Sequence, residues 1–183
     1  MAVQSKSHVT VEEFDRIAGL SENRDKRLEF IGGEVVEVVT NNYASWVASR
    51  ILIAIGGYIE AHHLGYTTGA DGGYMVSGER YIPDVAFISK ARQSEPSHET
   101  YNTNPPDLAV EVVSPTDQPK GITDKVANYL AAGTVVWVIY PDEQQARIYT
   151  PGQPVKTVAT DGILDGGSVL PGFTLALKDV FKA

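Results

Sequence analysis

There is no cysteine in this chain. That absence removes disulfides, thiol nucleophiles and thiolate metal sites, and it suits a reducing compartment. Long apolar runs are missing as well. No stretch approaches the roughly 20 residues of a membrane-spanning helix, and the polar segment Met1 to Thr10 has no apolar signal core. The expectation is a soluble, cytoplasmic protein. Positive charge is also scarce: 15 lysines and arginines face 23 acidic residues, for a net charge of -8. This weighs against a surface built mainly to neutralise phosphates. It does not exclude an enzyme acting on nucleic acid, because a local basic groove can sit on an acidic body, most readily across a dimer. The basic residues gather a little, as Arg24, Lys26 and Arg27, as Lys90 and Arg92, and as Lys120 and Lys125.

Several common chemistries have no signature here. The glycine cluster Gly69 to Gly73 lacks the strand–turn–helix context of a phosphate loop or dinucleotide fingerprint, and there is no nucleophile elbow. His62 and His63 are adjacent, so they cannot share a helical face. His8 and His98 lie in polar segments without ligand spacing.

What is present is a 183-residue chain with a hydrophobic fraction of 43%, enough for one domain with its own core. Residues 1–183 read as one unit: an N-terminal helix and hairpin over about 9–39, a core over about 43–140, and a C-terminal hairpin and tail over about 146–183. Thr10 with Glu13 three residues later is a capping-box pattern opening a short helix. Leu28 to Val39 reads as a hairpin about Gly32-Gly33. Tyr43 to His62 has helical apolar spacing at Tyr43, Val47, Ile51, Ile55 and Ile59. Tyr66 to Ser77 is expected to form another hairpin, Tyr81 to Ile88 one strand with Pro83 near its start, and 89–106 a polar excursion. Ile122 to Ala132 reads as a helix stopped by Gly133. It separates two apolar strands, Leu108 to Val113 and Thr134 to Tyr140, and a strand–helix–strand order predicts parallel pairing. A late hairpin (Ala146 to Thr150 with Val155 to Ala159) and an extended tail from Asp165 to Ala183, ending in a short helix, complete the chain.

Against this background Glu111 is anomalous. It lies in Asp107-Leu108-Ala109-Val110-Glu111-Val112-Val113, a strand apolar on both faces and bounded by Pro105-Pro106 and Ser114-Pro115. A carboxylate there is costly unless paired, hydrogen-bonded or bound to a cation. Asp84 begins the preceding strand, so two carboxylates on neighbouring strands can converge to hold Mg²⁺, with the backbone carbonyl of Val112 as a further oxygen. Lys125 falls at the edge of its helix's buried stripe, beside Ile122 and Tyr129, and can reach toward that strand, while Asp124 points away. The bland alternatives are a turn carboxylate for Asp84, a Glu111–Lys125 salt bridge, and a snorkelling lysine. Arg50 lies near the apolar stripe of the long helix and could face phosphate; a wet guanidinium on a buried stem is the ordinary account.

The order Pro83-Asp84, Glu111-Val112-Val113, Lys125 resembles the PD-(D/E)xK nuclease superfamily. Arg27 to Val36, Ile82 to Phe87, Pro105 to Pro115 and Asp124 to Gly133 are similar to the Uma-two family of restriction endonucleases, over roughly residues 10 to 180. The resemblance implies an α/β restriction-endonuclease-like core (helix, three strands, helix, strand; mixed sheet) with added β-hairpins. It also implies Mg²⁺, with Mn²⁺ as a substitute, held by Asp84 and Glu111, and phosphodiester hydrolysis of DNA by an activated water. Lys125 matches the family's helix-borne lysine; Val113 stands where the superfamily usually has one. Glu29 and Glu34 match the family's N-terminal hairpin, and Glu29, opposite in facing to Leu28 and Phe30, can approach the site as a catalytic residue. Many members carry a histidine where the long helix begins; Asn42 to Ser45 occupy that region here. The alternatives are an inactive member serving as a nucleic-acid or protein-binding module, and a different metal-dependent phosphoesterase. Exposable hairpin edges and symmetric DNA substrates lead to the further expectation of a homodimer.

Overall fold

The computed structural model describes residues 8–115 and 117–182. Most of the polar N-terminal reading, Met1 to Ser7, lies outside them, as does Ala183 at the end of the tail. The chain opens with α1 (Val11–Ala18), β1 (Leu28–Ile31), β2 (Glu34–Glu37) and α2 (Asn42–His62). It continues through β3 (Gly65–Gly69), β4 (Gly73–Val76), β5 (Glu79–Tyr81), β6 (Val85–Ser89), β7 (Tyr101–Asn102) and β8 (Leu108–Val112). After α3 (Pro119–Ala131) come β9 (Val135–Tyr140), β10 (Gln145–Tyr149), β11 (Lys156–Val158), β12 (Ile163–Asp165), β13 (Thr174–Ala176) and α4 (Leu177–Val180).

Two main sheets organise these elements, and β12 pairs with β13 in a small third one. The larger runs β11-β10-β9-β8-β6-β3, antiparallel except for the β8–β9 pair, which is parallel around α3. The smaller runs β2-β1-β5-β4-β7. The capping box at Thr10 is formed, with Glu13 answering the Thr10 N–H. Gly133, at φ 78°, follows α3 in the left-handed conformation that glycine tolerates best.

The segment around Asp84 departs from the sequence reading. Tyr66 to Ser77 is no hairpin: β3 pairs with β6 in the larger sheet, whereas β4 pairs with β5 and β7 in the smaller one. Tyr81 to Ile88 is not one strand either. It breaks at Ile82-Pro83-Asp84, and β5 and β6 belong to different sheets. Proline has no N–H to give a ladder, and the Ile82 N–H goes to the Glu29 carboxylate instead. The polar excursion contains β7, and α3 begins at Pro119, three residues earlier than Ile122, because proline suits a first helical turn.

Strand alternation then sorts the core. Leu108, Val110 and Val112 face α2 and the C-terminal elements together with Val85, Phe87, Trp137 and Ile139. Ala86, Ala109, Val136 and Val138 face the other way, against Val126 and Tyr129 of α3 and against Tyr74, Val76 and Tyr81 of the smaller sheet. A third cluster, of Phe14, Leu28, Phe30, Ile82 and Tyr101, holds α1 to β1.

Gly65 marks one close approach. A Cβ there would meet the Ile88 carbonyl oxygen at 2.1 Å and the Ser89 Cα at 2.8 Å. Both are backbone atoms, so Gly65→Ala is expected to destabilise the fold by about 2–3 kcal/mol, read from the shift of the urea midpoint.

Candidate active site

Glu111 sits in a strand buried along its whole length. Its neighbours Val110 and Val112 point toward α2, so Glu111 points toward α3. Lys125 and Tyr129, four residues apart and therefore on one helical face, are among the buried residues of α3. The Lys125 ammonium donates to Glu111 Oε2 at 2.8 Å, and the Tyr129 hydroxyl donates to Glu111 Oε1 at 3.1 Å.

A second carboxylate arrives from the smaller sheet. Leu28 and Phe30 pack in the cluster around Phe14, which turns Glu29 to the opposite face. Glu29 Oε1 lies 2.8 Å from Lys125 Nζ and accepts the Ile82 N–H at 2.6 Å. Asp84, two residues after Ile82, accepts the Val112 N–H on Oδ2 at 2.7 Å. A strand residue's N–H and C=O share one side, so the Val112 carbonyl faces the Asp84 edge too. The ring of Tyr81 walls the cluster, 5.3 Å from the ring of Tyr129 and 5.6 Å from Lys125 Nζ, with its hydroxyl bonded by the Asn128 amide at 2.7 Å.

Water reaches this cluster unevenly. Glu29, Glu111 and Lys125 are 3%, 5% and 6% exposed, so solvent does little to screen their charges. Asp84 is partly accessible and lines a cavity of about 60 Å³ with Thr40, Ser45 and Ser49 near the start of α2. Asp84 is thus the reachable member of the set.

The charges do not balance. One ammonium stands among the carboxyls of Glu29, Asp84 and Glu111. Burial pushes the Glu111 carboxyl up to about 8, with Glu29 and Asp84 adding repulsion and Lys125 only partly offsetting it. Burial likewise pushes Asp84 up to about 6, against the Val112 N–H and Lys125, which favour its charged form. Burial alone would lower Lys125, but the facing carboxylates outweigh it and hold the ammonium protonated. The Tyr129 hydroxyl is pushed well above its ordinary value, first by burial and then by Glu111, so it stays a donor.

Of the residues singled out in the sequence, Glu29, Asp84, Glu111, the Val112 backbone and Lys125 are brought together. Glu34 lies opposite Ile31 beside the hairpin turn, and the carboxylate which that hairpin delivers to Lys125 is that of Glu29. Arg50 is placed apart. It lies exposed on α2, donates to the Asp179 carbonyl at 3.0 Å and stands 5.8 Å from the Trp46 ring. Asp124 points outward to Lys120, at 3.1 Å. The basic groups are partly consumed locally: Arg92 binds Asp107 at 3.1 Å and Arg27 reaches Asp71 at 3.9 Å. Tyr129 and Tyr81 were not foreseen as site residues. The four-residue spacing from Lys125 was the available signal for Tyr129; Tyr81 had none.

Among the described residues no three Asp, Glu, Cys or His side chains are arranged as a ready metal cluster. The donors on hand are the Asp84 and Glu111 carboxylates and the Val112 carbonyl, an all-oxygen set. That is the donor type Mg²⁺ accepts while keeping several waters, so the residues fit such an ion.

A mixed α/β fold whose strands and next helix gather these carboxylates and a lysine is of the restriction-endonuclease-like class. The chain belongs to the Uma2 family, described as "Putative restriction endonuclease", whose model matches residues 11–178. A solved structure, "a putative nuclease belonging to DUF820" from Anabaena variabilis ATCC 29413, is similar in fold with a TM-score of 0.82 over 94% of this chain and 97% of that one, at 20% identity. No curated protein sequence matches the chain. No helix among the described residues is long and apolar enough to cross a membrane.

Proposed function

We propose that the chain is an endonuclease dependent on a divalent cation, cleaving phosphodiester bonds of DNA, with Asp84, Glu111 and the Val112 carbonyl holding Mg²⁺ or Mn²⁺. The observation that carries this is the excess of carboxyl groups over ammonium: Glu29 and Glu111 both pair with the one lysine, Asp84 stands beside them on the Val112 N–H, and Asp84 and Glu111 have carboxyl pKa values raised to about 6 and about 8. Burying such a surplus is costly without a cation or a proton to offset it. When bound, the ion supplies Lewis acidity and an activated water.

The chain's own groups do the rest. Asp84 presents its carboxylate at the accessible cavity, where a phosphodiester can approach. Tyr129 orients Glu111 through Oε1. Lys125 keeps a permanent positive charge beside the carboxylates, able to stabilise the charge that develops on phosphate. Incubating DNA with Mg²⁺ or Mn²⁺, and separately with a chelator, tests the reading. Cleavage only with the ion is expected; no cleavage of single- or double-stranded DNA with either ion would overturn it.

A second reading rests on one contact. Lys125 already pairs with Glu111 at 2.8 Å, which satisfies the carboxylate as a closed, inactive site would. Cation binding separates the two, and its pH dependence has a fixed sign. Protons on Asp84 and Glu111 compete with the ion, so affinity is low where they are protonated and rises as pH passes about 6 and then about 8. Each proton displaced makes affinity change about tenfold per pH unit. Calorimetric Mn²⁺ titrations between about pH 5 and 8 are expected to show this rise. No binding at any pH favours the closed-site reading; binding of constant affinity contradicts the assigned ligands.

A further inference from the structure

Resting on the nuclease reading, we propose that Glu29 is a positioning residue which uses one carboxylate oxygen to fix both Lys125 and the chain segment carrying Asp84. Glu29 Oε1 accepts from Lys125 Nζ at 2.8 Å and from the Ile82 N–H at 2.6 Å. Ile82 stands two residues before Asp84, in the link that leaves the smaller sheet and enters the larger one. The other end of that link is held by the Val112 N–H on Asp84. One oxygen from the N-terminal hairpin therefore sets the lysine and the ligand-bearing segment relative to each other.

The chemistry explains why such a residue is needed here. The lysine comes from a helix, because Val113 stands two residues after Glu111. An ammonium on a flexible four-carbon stem is a point charge with many rotamers, and a single partner fixes it poorly. Glu111 alone could hold it, but a cation drawing on Glu111 would weaken that contact. Glu29 is 3% exposed, and its Oε1 is already engaged by two donors. It holds Lys125 in place while Glu111 serves the ion. This makes Glu29 a group that acts through others.

The test is Glu29→Gln, whose amide oxygen can still accept from Ile82 while the charge facing Lys125 is lost. Thermal melting confirms that the variant folds. Three readouts then follow: Mn²⁺ affinity, the split of cleavage into kcat and KM, and the rate at which acetic anhydride modifies Lys125, followed by mass spectrometry. The expected result is Mn²⁺ affinity and KM within about threefold of wild type, kcat lower by about 10–100-fold, and faster Lys125 modification. Glu29→Asp, which restores the charge, recovers part of the lost kcat. A parallel loss of Mn²⁺ affinity and kcat with Lys125 reactivity unchanged overturns the proposal and makes Glu29 a ligand. No change in kcat or Lys125 reactivity overturns it as well, leaving Glu29 a core ion pair. If wild type cleaves no DNA, the nuclease reading fails, and the holding of Lys125 is decided by its modification rate alone.

Discussion

Replacing Glu111 by alanine is expected to lower DNA cleavage at least about 100-fold while leaving the protein folded. The two effects separate because of the charge arrangement. The substitution removes one of the surplus carboxyls, and Lys125 keeps its contact with Glu29 at 2.8 Å. What the fold loses is the partner of the Tyr129 hydroxyl and a few buried atoms. An unsatisfied hydroxyl costs about 1–3 kcal/mol, partly offset because a carboxyl disfavoured by burial and by Glu29 and Asp84 is removed. Cleavage kinetics beside a urea melt check this. Cleavage equal to wild type would remove Glu111 from the site. Loss of cleavage together with global unfolding would assign it a structural role.

Lys125→Met is expected to behave in the opposite way, with its largest effect on stability. The methionine fills the volume of the lysine stem but leaves Glu29 and Glu111 facing each other without a counter-ion at 3% and 5% exposure. Breaking a buried pair from one side costs about 3–5 kcal/mol. The pH dependence has a definite sign. A carboxyl whose folded pKa is raised contributes stability that is present below its unfolded pKa and lost as pH rises through the folded one. Glu111 is already raised to about 8 beside Lys125, and losing the ammonium raises it further. Below about pH 8 Glu111 holds its proton in both proteins, so the penalty is level there; above about pH 8 wild type has shed the proton and the variant has not, so the penalty grows. Denaturant midpoints at about pH 7 and about pH 9.5 check it. A penalty that is constant with pH, or larger in acid, contradicts the charge assignment.

The parts of this molecule legible in its sequence were those set by local patterning. The capping box at Thr10, the long helix α2, the hairpin of β1 and β2, and the parallel β8–β9 pair all follow from spacing, turn residues and element order. Glu111 was legible because an acidic residue in an apolar strand is locally inconsistent. Glu29 was legible through strand alternation, although its burial was not, since that comes from α3 and the smaller sheet closing over it. What escaped were features decided by long-range pairing. Nothing local distinguishes Tyr66 to Gly69 as belonging to one sheet and Gly73 to Val76 as belonging to another. The break at Ile82 depends on Glu29, more than fifty positions away in the chain. Tyr129 reads as an ordinary core residue until its hydroxyl is seen to meet Glu111.

The link Ile82-Pro83-Asp84 has a consequence for when the site exists at all. One end is clasped by the N-terminal hairpin through Glu29, the other by β8 through Val112. A chain in which only the larger sheet has formed possesses Glu111 and Lys125 but has no Glu29 beside them and nothing to clasp Ile82. Assembly of the centre thus reports that both sheets have docked. A half-folded chain therefore lacks the assembled centre, and the order in which the two sheets dock decides when its charges first meet.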